Sequence, residues 1–149
     1  MIDALKKVSD TWNKYTQGTA GIIIYVVVGF LVAYLVNTGM GMAFDTDTPM
    51  VAVFSQSMVP TFYKGDLVFV TGSDDYSTGD IIVFDVGNKN YPIIHRVFSI
   101  EDDGSFRTKG DNNGFSDPWI VSKENIHGKA SFKIPYLGWV KVLFIELLQ

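Results

Sequence analysis

The chain reads as a mainly β protein with one long apolar helix near its N-terminus and a short apolar segment at its C-terminus. Three observations predict this. Positions 20–44 form an uncharged stretch of about 25 residues. Six short apolar or alternating runs follow between residues 50 and 134, separated by turn clusters. The last stretch, PYLGWVKVLFIELLQ, is apolar but too short to span a bilayer.

Residues 1–19 form a lead-in with apolar or aromatic side chains at Ile2, Leu5, Val8, Trp12 and Tyr15. That is helical spacing, and Trp12 and Tyr15 suit the headgroup level of a membrane. A helix over 20–44 would be roughly 30–38 Å long, enough to cross the hydrocarbon core with some tilt. Its Ile- and Val-rich sequence favours helix in lipid, where the backbone must satisfy its own hydrogen bonds. A removable signal peptide, cut at Gly41-Met42-Ala43, is the first alternative. The uncharged stretch is long for that, and a buried core helix would lack partners to cover it. Lys6, Lys7 and Lys14 precede the segment, while Asp45 and Asp47 follow it. Lysine excess marks the cytoplasmic side, so a retained anchor is expected with residues 1–19 in the cytoplasm and the rest outside.

Residues 45–134 are expected to be one extracytoplasmic β domain, built from MVAVFS, LVFVTG, DIIVFDV, PIIHRVFSI, SFRTKG and NIHGKASFKI. Several of these runs are apolar on both faces, as when a coiled sheet or two sheets share a core. In residues 135–149, Val140, Leu143, Phe144 and Leu147 fall on one helical face. This segment either closes the domain or lies in the membrane interface, and the interfacial placement is the expectation.

Composition removes several classes of function. After Phe44 the chain has nine basic and fourteen acidic residues, a net charge of −5, which argues against nucleic acid as a partner. There is no cysteine, hence no disulfide framework, thiolate nucleophile or Cys-based metal site. The two histidines are far apart in sequence and the aspartates scattered, so neither a metal nor another cofactor is expected.

Ser57 is the candidate nucleophile. It follows the apolar run Val51–Phe54 and precedes Met58-Val59-Pro60, where the proline fixes φ and pushes Val59 towards extended geometry. A hydroxyl at such a stiff turn is positioned, as attack requires. The adjacent backbone N–H groups, including that of Ser57, and the Ser55 hydroxyl are candidates for an oxyanion hole. His95 shares a strand face with Ile93 and Val97, and a polar group there is costly unless paired. It is either a core histidine bonded to a carbonyl or a general base. His127, beside Gly128, is expected to be more exposed and is the weaker candidate base. Asp111 and Asp117 sit in a Gly- and Asn-rich loop, and either could orient an imidazole. Spacing does not choose between them.

These pieces resemble the type I signal peptidases, in the archaeal and endoplasmic-reticulum branch, from about Ala20 to Gly138. Ser55-Gln56-Ser57-Met58-Val59-Pro60-Thr61 resembles the nucleophile box, and Gly65-Asp66-Leu67-Val68-Phe69-Val70 the strand box after it. Gly79–Phe84 with Ile94-His95-Arg96-Val97 resembles the box of the general base. Lys109-Gly110-Asp111-Asn112-Asn113 with Asp117 resembles the acidic box. Bacterial relatives carry lysine where this chain has His95, so the resemblance implies a Ser/His/Asp arrangement. It assigns Ser57 as nucleophile, His95 as base, Asp117 as the first choice of orienting acid, Asp111 as the second, and Ser55 as an oxyanion contributor. It implies a coiled β-sheet domain that cuts signal peptides from secretory preproteins at the outer membrane face, after alanine-like residues. The implied partners are those signal peptides, the lipid bilayer and the protein translocation channel. The implied location is the cell membrane, or the endoplasmic-reticulum membrane in a eukaryote. The competing readings are a membrane-tethered β module without catalysis and a relative of the self-cleaving repressor proteases. Those repressors lack an anchor and use a lysine base.

Overall fold

The computed structural model describes residues 5–7, 11–12, 18–87 and 89–147. The chain divides into two compact units, Met1–Met40 and Gly41–Gln149. The amphipathic reading of residues 1–19 falls mostly outside the described residues.

Helix α1 spans Gly18–Phe44, and its segment Gly21–Phe44 is long and apolar enough to cross a membrane. Apolar side chains occupy every side of it, and Ile22, Phe30 and Tyr34 are exposed. It is therefore not the buried core helix of a soluble domain.

The second unit is an antiparallel sheet of β1 (Met50–Ala52), β2 (Leu67–Thr71), β3 (Ile81–Phe84), β4 (Ile93–Ile100), β5 (Phe106–Lys109) and β6 (Ile126–Ile134). The order is β1-β2-β6-β3-β4-β5, so the last strand inserts between β2 and β3. Register shifts interrupt the β2–β6, β3–β6 and β4–β5 ladders. Irregularities of this kind bend strands and increase their twist, which coils a sheet. β1 is shorter than its apolar run suggests. Val53 leaves the ladder to close a loop, donating to Asp66 O at 2.9 Å and accepting from Gly65 N–H at 2.9 Å.

Alternation along β3 divides the core. Ile81 and Val83 belong to a cluster with Val51, Val53, Met58, Phe62, Val68, Val70 and Ile94. Ile82 and Phe84 belong to a second, with Tyr76, Ile93, Val97, Phe106 and Val121. Apolar runs without alternation are thus explained by strands buried on both faces. Each fully buried Val or Ile contributes roughly 1.5–3 kcal/mol. The register also decides where the polar residues of β4 go. His95 lies opposite Ile82, and Val97 opposite Thr108, so these four share one face. Arg96, opposite Ile81 and Lys109, takes the other.

Helix α2 (Trp139–Leu147) docks on the end of the loop that β1 leads into. The indole of Trp139 lies where a Cβ on Gly65 would be, 2.0 Å from the nearest ring atom, and Gly65 has φ +92°. Only glycine satisfies both conditions. Val142 is fully buried, whereas Val140, Leu143, Phe144 and Leu147 remain exposed. The helix therefore closes the domain through Val142, not through the apolar face that its spacing singles out.

Candidate active site

Three chain segments meet at one buried imidazole. Ser57 lies on the loop between β1 and β2, His95 on β4, and Asp117 at the end of the loop after β5. His95 Nε2 is 2.9 Å from Ser57 Oγ, and His95 Nδ1 is 2.6 Å from Asp117 Oδ2. His95 and Asp117 are each 6% exposed. A carboxylate can only accept, so the imidazole proton belongs on Nδ1 and the Nε2 lone pair faces the Ser57 hydroxyl. Ser55 Oγ completes the polar group at 3.0 Å from Ser57 Oγ.

The serine loop is held at several points. Met58, next to Ser57, is 1% exposed and inserts into the first core cluster. Its carbonyl accepts from Phe62 N–H at 2.8 Å. Ser57 O accepts from Asn112 N–H at 2.7 Å, and Gln56 O accepts from Asn112 Nδ2 at 3.2 Å. The serine loop and the acidic loop are thus tied together by backbone. Gly110 makes this approach possible, since a Cβ there would lie 2.6 Å from Ser57 O.

The two aspartates have different surroundings. Asp117 takes His95, while Asp111 takes Arg96. Arg96 Nε donates to Asp111 Oδ1 at 2.8 Å and Nη2 to Oδ2 at 2.7 Å, a bidentate grip. The Thr61 hydroxyl also donates to Asp111, and Arg96 Nη1 reaches Gly79 O at 2.7 Å. Arg96 holds the Asp111 carboxyl below the usual range, against the opposing pull of burial, with help from Thr61. Arg96 is in turn held above its ordinary value by Asp111.

His127 stands outside this group and is not an open surface residue. It is partly covered, with Nε2 3.0 Å from Asp85 Oδ2 and Nδ1 3.3 Å from the Thr48 hydroxyl.

Two contributors were not legible as site residues in the sequence. Thr108, fully buried on β5, donates its hydroxyl to Asp117 Oδ2 at 2.7 Å. Lys133 on β6 donates to Thr61 O at 2.8 Å and to Asp66 Oδ2 at 2.9 Å. Burial raises the Asp66 carboxyl, but Lys133 and the N–H groups of Tyr63 and Tyr136 outweigh it and hold the group low. A strand residue of alternating polarity carries no mark of such a role. The one available signal for Thr108 was its place two residues before Gly110-Asp111.

Comparison with known proteins agrees with this architecture. The family model described as Peptidase S24-like matches residues 15–131. The signal peptidase complex catalytic subunit SEC11 of Colletotrichum graminicola is 35% identical, over 76% of this chain and 74% of its own. Its counterpart in Dictyostelium discoideum is 33% identical, over 78% of this chain and 72% of its own. Human signal peptidase complex catalytic subunit SEC11C is 33% identical, over 81% of this chain and 72% of its own. With the family model covering most of the chain and these relatives aligned along both partners, the protein belongs to the S24-like serine peptidases, in the group of the signal peptidase catalytic subunits.

Proposed function

We propose that the protein is a membrane-anchored serine endopeptidase that cleaves signal peptides from exported preproteins, with Ser57 as nucleophile, His95 as general base and Asp117 as the orienting acid. The observation that carries the proposal is the unbroken line from Ser57 Oγ through both nitrogens of His95 to Asp117, at 2.9 and 2.6 Å. A non-catalytic β module has no need of such an alignment.

In this mechanism His95 Nε2 takes the hydroxyl proton as Ser57 Oγ attacks the scissile carbonyl carbon. The carbonyl π electrons move to oxygen, where Ser57 N–H and the Ser55 hydroxyl are the candidate donors. Collapse of the tetrahedral species breaks the C–N bond, and the leaving amine takes the proton from His95. Water then attacks the acyl-enzyme with His95 as base again, which releases the signal peptide and restores Ser57. Asp117 holds the tautomer and stabilises the imidazolium formed in each half. Asp111 acts on the scaffold, by fixing Thr61 four residues beyond Ser57.

A cleft of about 690 Å³ runs beside β1, lined by Val51, Ala52, Phe54, Tyr91, His127 and Lys141 among others. Among the described residues, β1 lies at one end of the sheet and pairs with β2 alone. An extended peptide laid along that edge would gain main-chain hydrogen bonds and be led towards Ser57. The resemblance adds the preference for alanine-like residues at the first and third positions before the cut.

The lysines ahead of α1 favour a cytoplasmic N-terminus and an extracytoplasmic catalytic domain. In that orientation the exposed face of α2, with Val140, Leu143, Phe144 and Leu147, suits the membrane interface. The relatives named as subunits of a signal peptidase complex support an assembly with further subunits, and the family resemblance adds a position where preproteins leave the translocation channel.

The test uses the full chain in liposomes with a preprotein carrying a signal peptide, the products being read by mass spectrometry. One cut after a small residue is expected. An intact preprotein, or equal cleavage at unrelated sites, would refute the proposal.

A further inference from the structure

We infer that Thr108 is a positioning residue for the reaction, acting through Asp117; the inference rests on the Ser57–His95–Asp117 reading above. Thr108 holds that aspartate at two points. Its carbonyl accepts from Asp117 N–H at 2.8 Å, and its hydroxyl donates to Asp117 Oδ2 at 2.7 Å. The oxygen that takes the hydroxyl is the one that takes His95 Nδ1. One carboxylate oxygen therefore receives two donors, which fix its direction in space.

The sheet register explains why this residue and no neighbour does it. Thr108 lies opposite Val97 on β4, and Val97 shares its strand face with His95. The hydroxyl is thus delivered to the imidazole side of the sheet. The next strand residue, Lys109, lies opposite Arg96 on the other face. The backbone contact closes the loop that carries Asp111 and Asn112, and the side-chain contact aims the acid once the loop is closed. The two can be separated, because a valine keeps the first and loses the second.

A buried carboxylate deprived of one donor keeps its desolvation cost and loses an aligned partner. Its remaining freedom is rotation about the side-chain torsions, which carries the oxygen away from Nδ1. The imidazole then loses its fixed orientation towards Ser57, while the peptide-binding edge at β1 is untouched. The loss should therefore fall on kcat and leave KM unchanged.

The experiment compares Thr108→Val, Thr108→Ser, Asp117→Asn and the double variant Thr108→Val/Asp117→Asn in the liposome assay, with melting temperatures measured alongside. Thr108→Val should lower kcat about ten- to a hundredfold, the scale of one hydrogen bond to a charged group. KM should stay within about twofold, and Thr108→Ser should recover most of the rate. In the Asp117→Asn background, Thr108→Val should cost less than about threefold more, since the two changes act through one contact. Full activity in Thr108→Val, equal impairment in Thr108→Ser, or additive losses in the double variant would each overturn the inference. The underlying reading fails separately: Asp117→Asn alone would then cleave at the wild-type rate. A Thr108→Val protein that does not fold, beside a sound Thr108→Ser, leaves the outcome to Thr108→Ala and its coupling to Asp117→Asn.

Discussion

Arg96 meets Asp111 through two parallel contacts, at 2.8 and 2.7 Å, one residue along β4 from the imidazole that meets Asp117. Neighbouring strand residues point to opposite faces, so a single dipeptide, His95-Arg96, engages both aspartates of one loop from two sides of the sheet. The His95–Asp117 pairing lies on the proposed chemical path and the Arg96–Asp111 pairing lies in the scaffold. This division yields distinct expectations for the two acids.

Asp117→Asn should lower kcat by about a thousandfold or more, because an amide can stabilise the wrong tautomer and cannot stabilise an imidazolium. Asp111→Asn should cost about tenfold, with a lower melting temperature. Steady-state kinetics of both variants on one preprotein check the order. Reversal of that order would exchange the roles of the two acids.

The pH dependence of stability follows from the same grip. Arg96 depresses the folded-state titration of Asp111, so its contribution is present above the unfolded value of about 3.9 and fades as pH falls through the lower folded value. With Arg96 partly exposed, the pair should be worth only about 1–2 kcal/mol. Melting temperatures of the wild type should fall as pH drops below about 4, and Asp111→Asn should show a shallower fall. Parallel curves for the two proteins would contradict the assignment.

Gly110→Ala places a Cβ 2.6 Å from Ser57 O and 2.8 Å from Asn113 Nδ2. The asparagine side chain can move away, but the carbonyl of the proposed nucleophile cannot move without shifting Ser57. The expected result is a loss of kcat of about tenfold or more, since small misplacements of reacting groups are costly. Kinetics together with a melting curve would detect it. Unchanged kcat would mean that the serine loop tolerates displacement.

Lys133→Met should destabilise the domain by about 1–3 kcal/mol, because it leaves the Asp66 carboxylate, 2% exposed, without its cation. Adding Asp66→Asn should recover part of that loss, and thermal unfolding of the single and double variants measures it. Equal instability of the double variant would show that the place of the Lys133 ammonium over the Phe62 and Tyr63 rings matters more than the ion pair.

Much of this was legible in the sequence, for reasons that differ by element. The helix of residues 20–44 was visible because lipid leaves an uncharged stretch of that length little choice but helix. The strands were visible through their turn clusters, and the place of His95 among Ile93 and Val97 showed a polar group that needed partners. Spacing alone could not tell the two aspartates apart, because both lie in one loop, and only the family resemblance ranked Asp117 first. Their separation depends on how that loop closes, through Asp117 N–H on Thr108 O and Asn112 N–H on Ser57 O. Contacts between residues far apart in sequence leave no spacing signal. For α2 the spacing left two readings open, closure of the domain or a place in the membrane interface; the domain buries Val142 and leaves the face of Val140, Leu143, Phe144 and Leu147 exposed.

Cleavage of one preprotein by the wild-type protein and by Ser57→Ala, both reconstituted in liposomes and both shown folded by circular dichroism, tests the central claim most directly. The wild type should yield a mature product with a single new N-terminus, and Ser57→Ala should yield none at equal concentration over the same time. A Ser57→Ala protein that forms the same product at the wild-type rate would show that the nucleophile lies elsewhere.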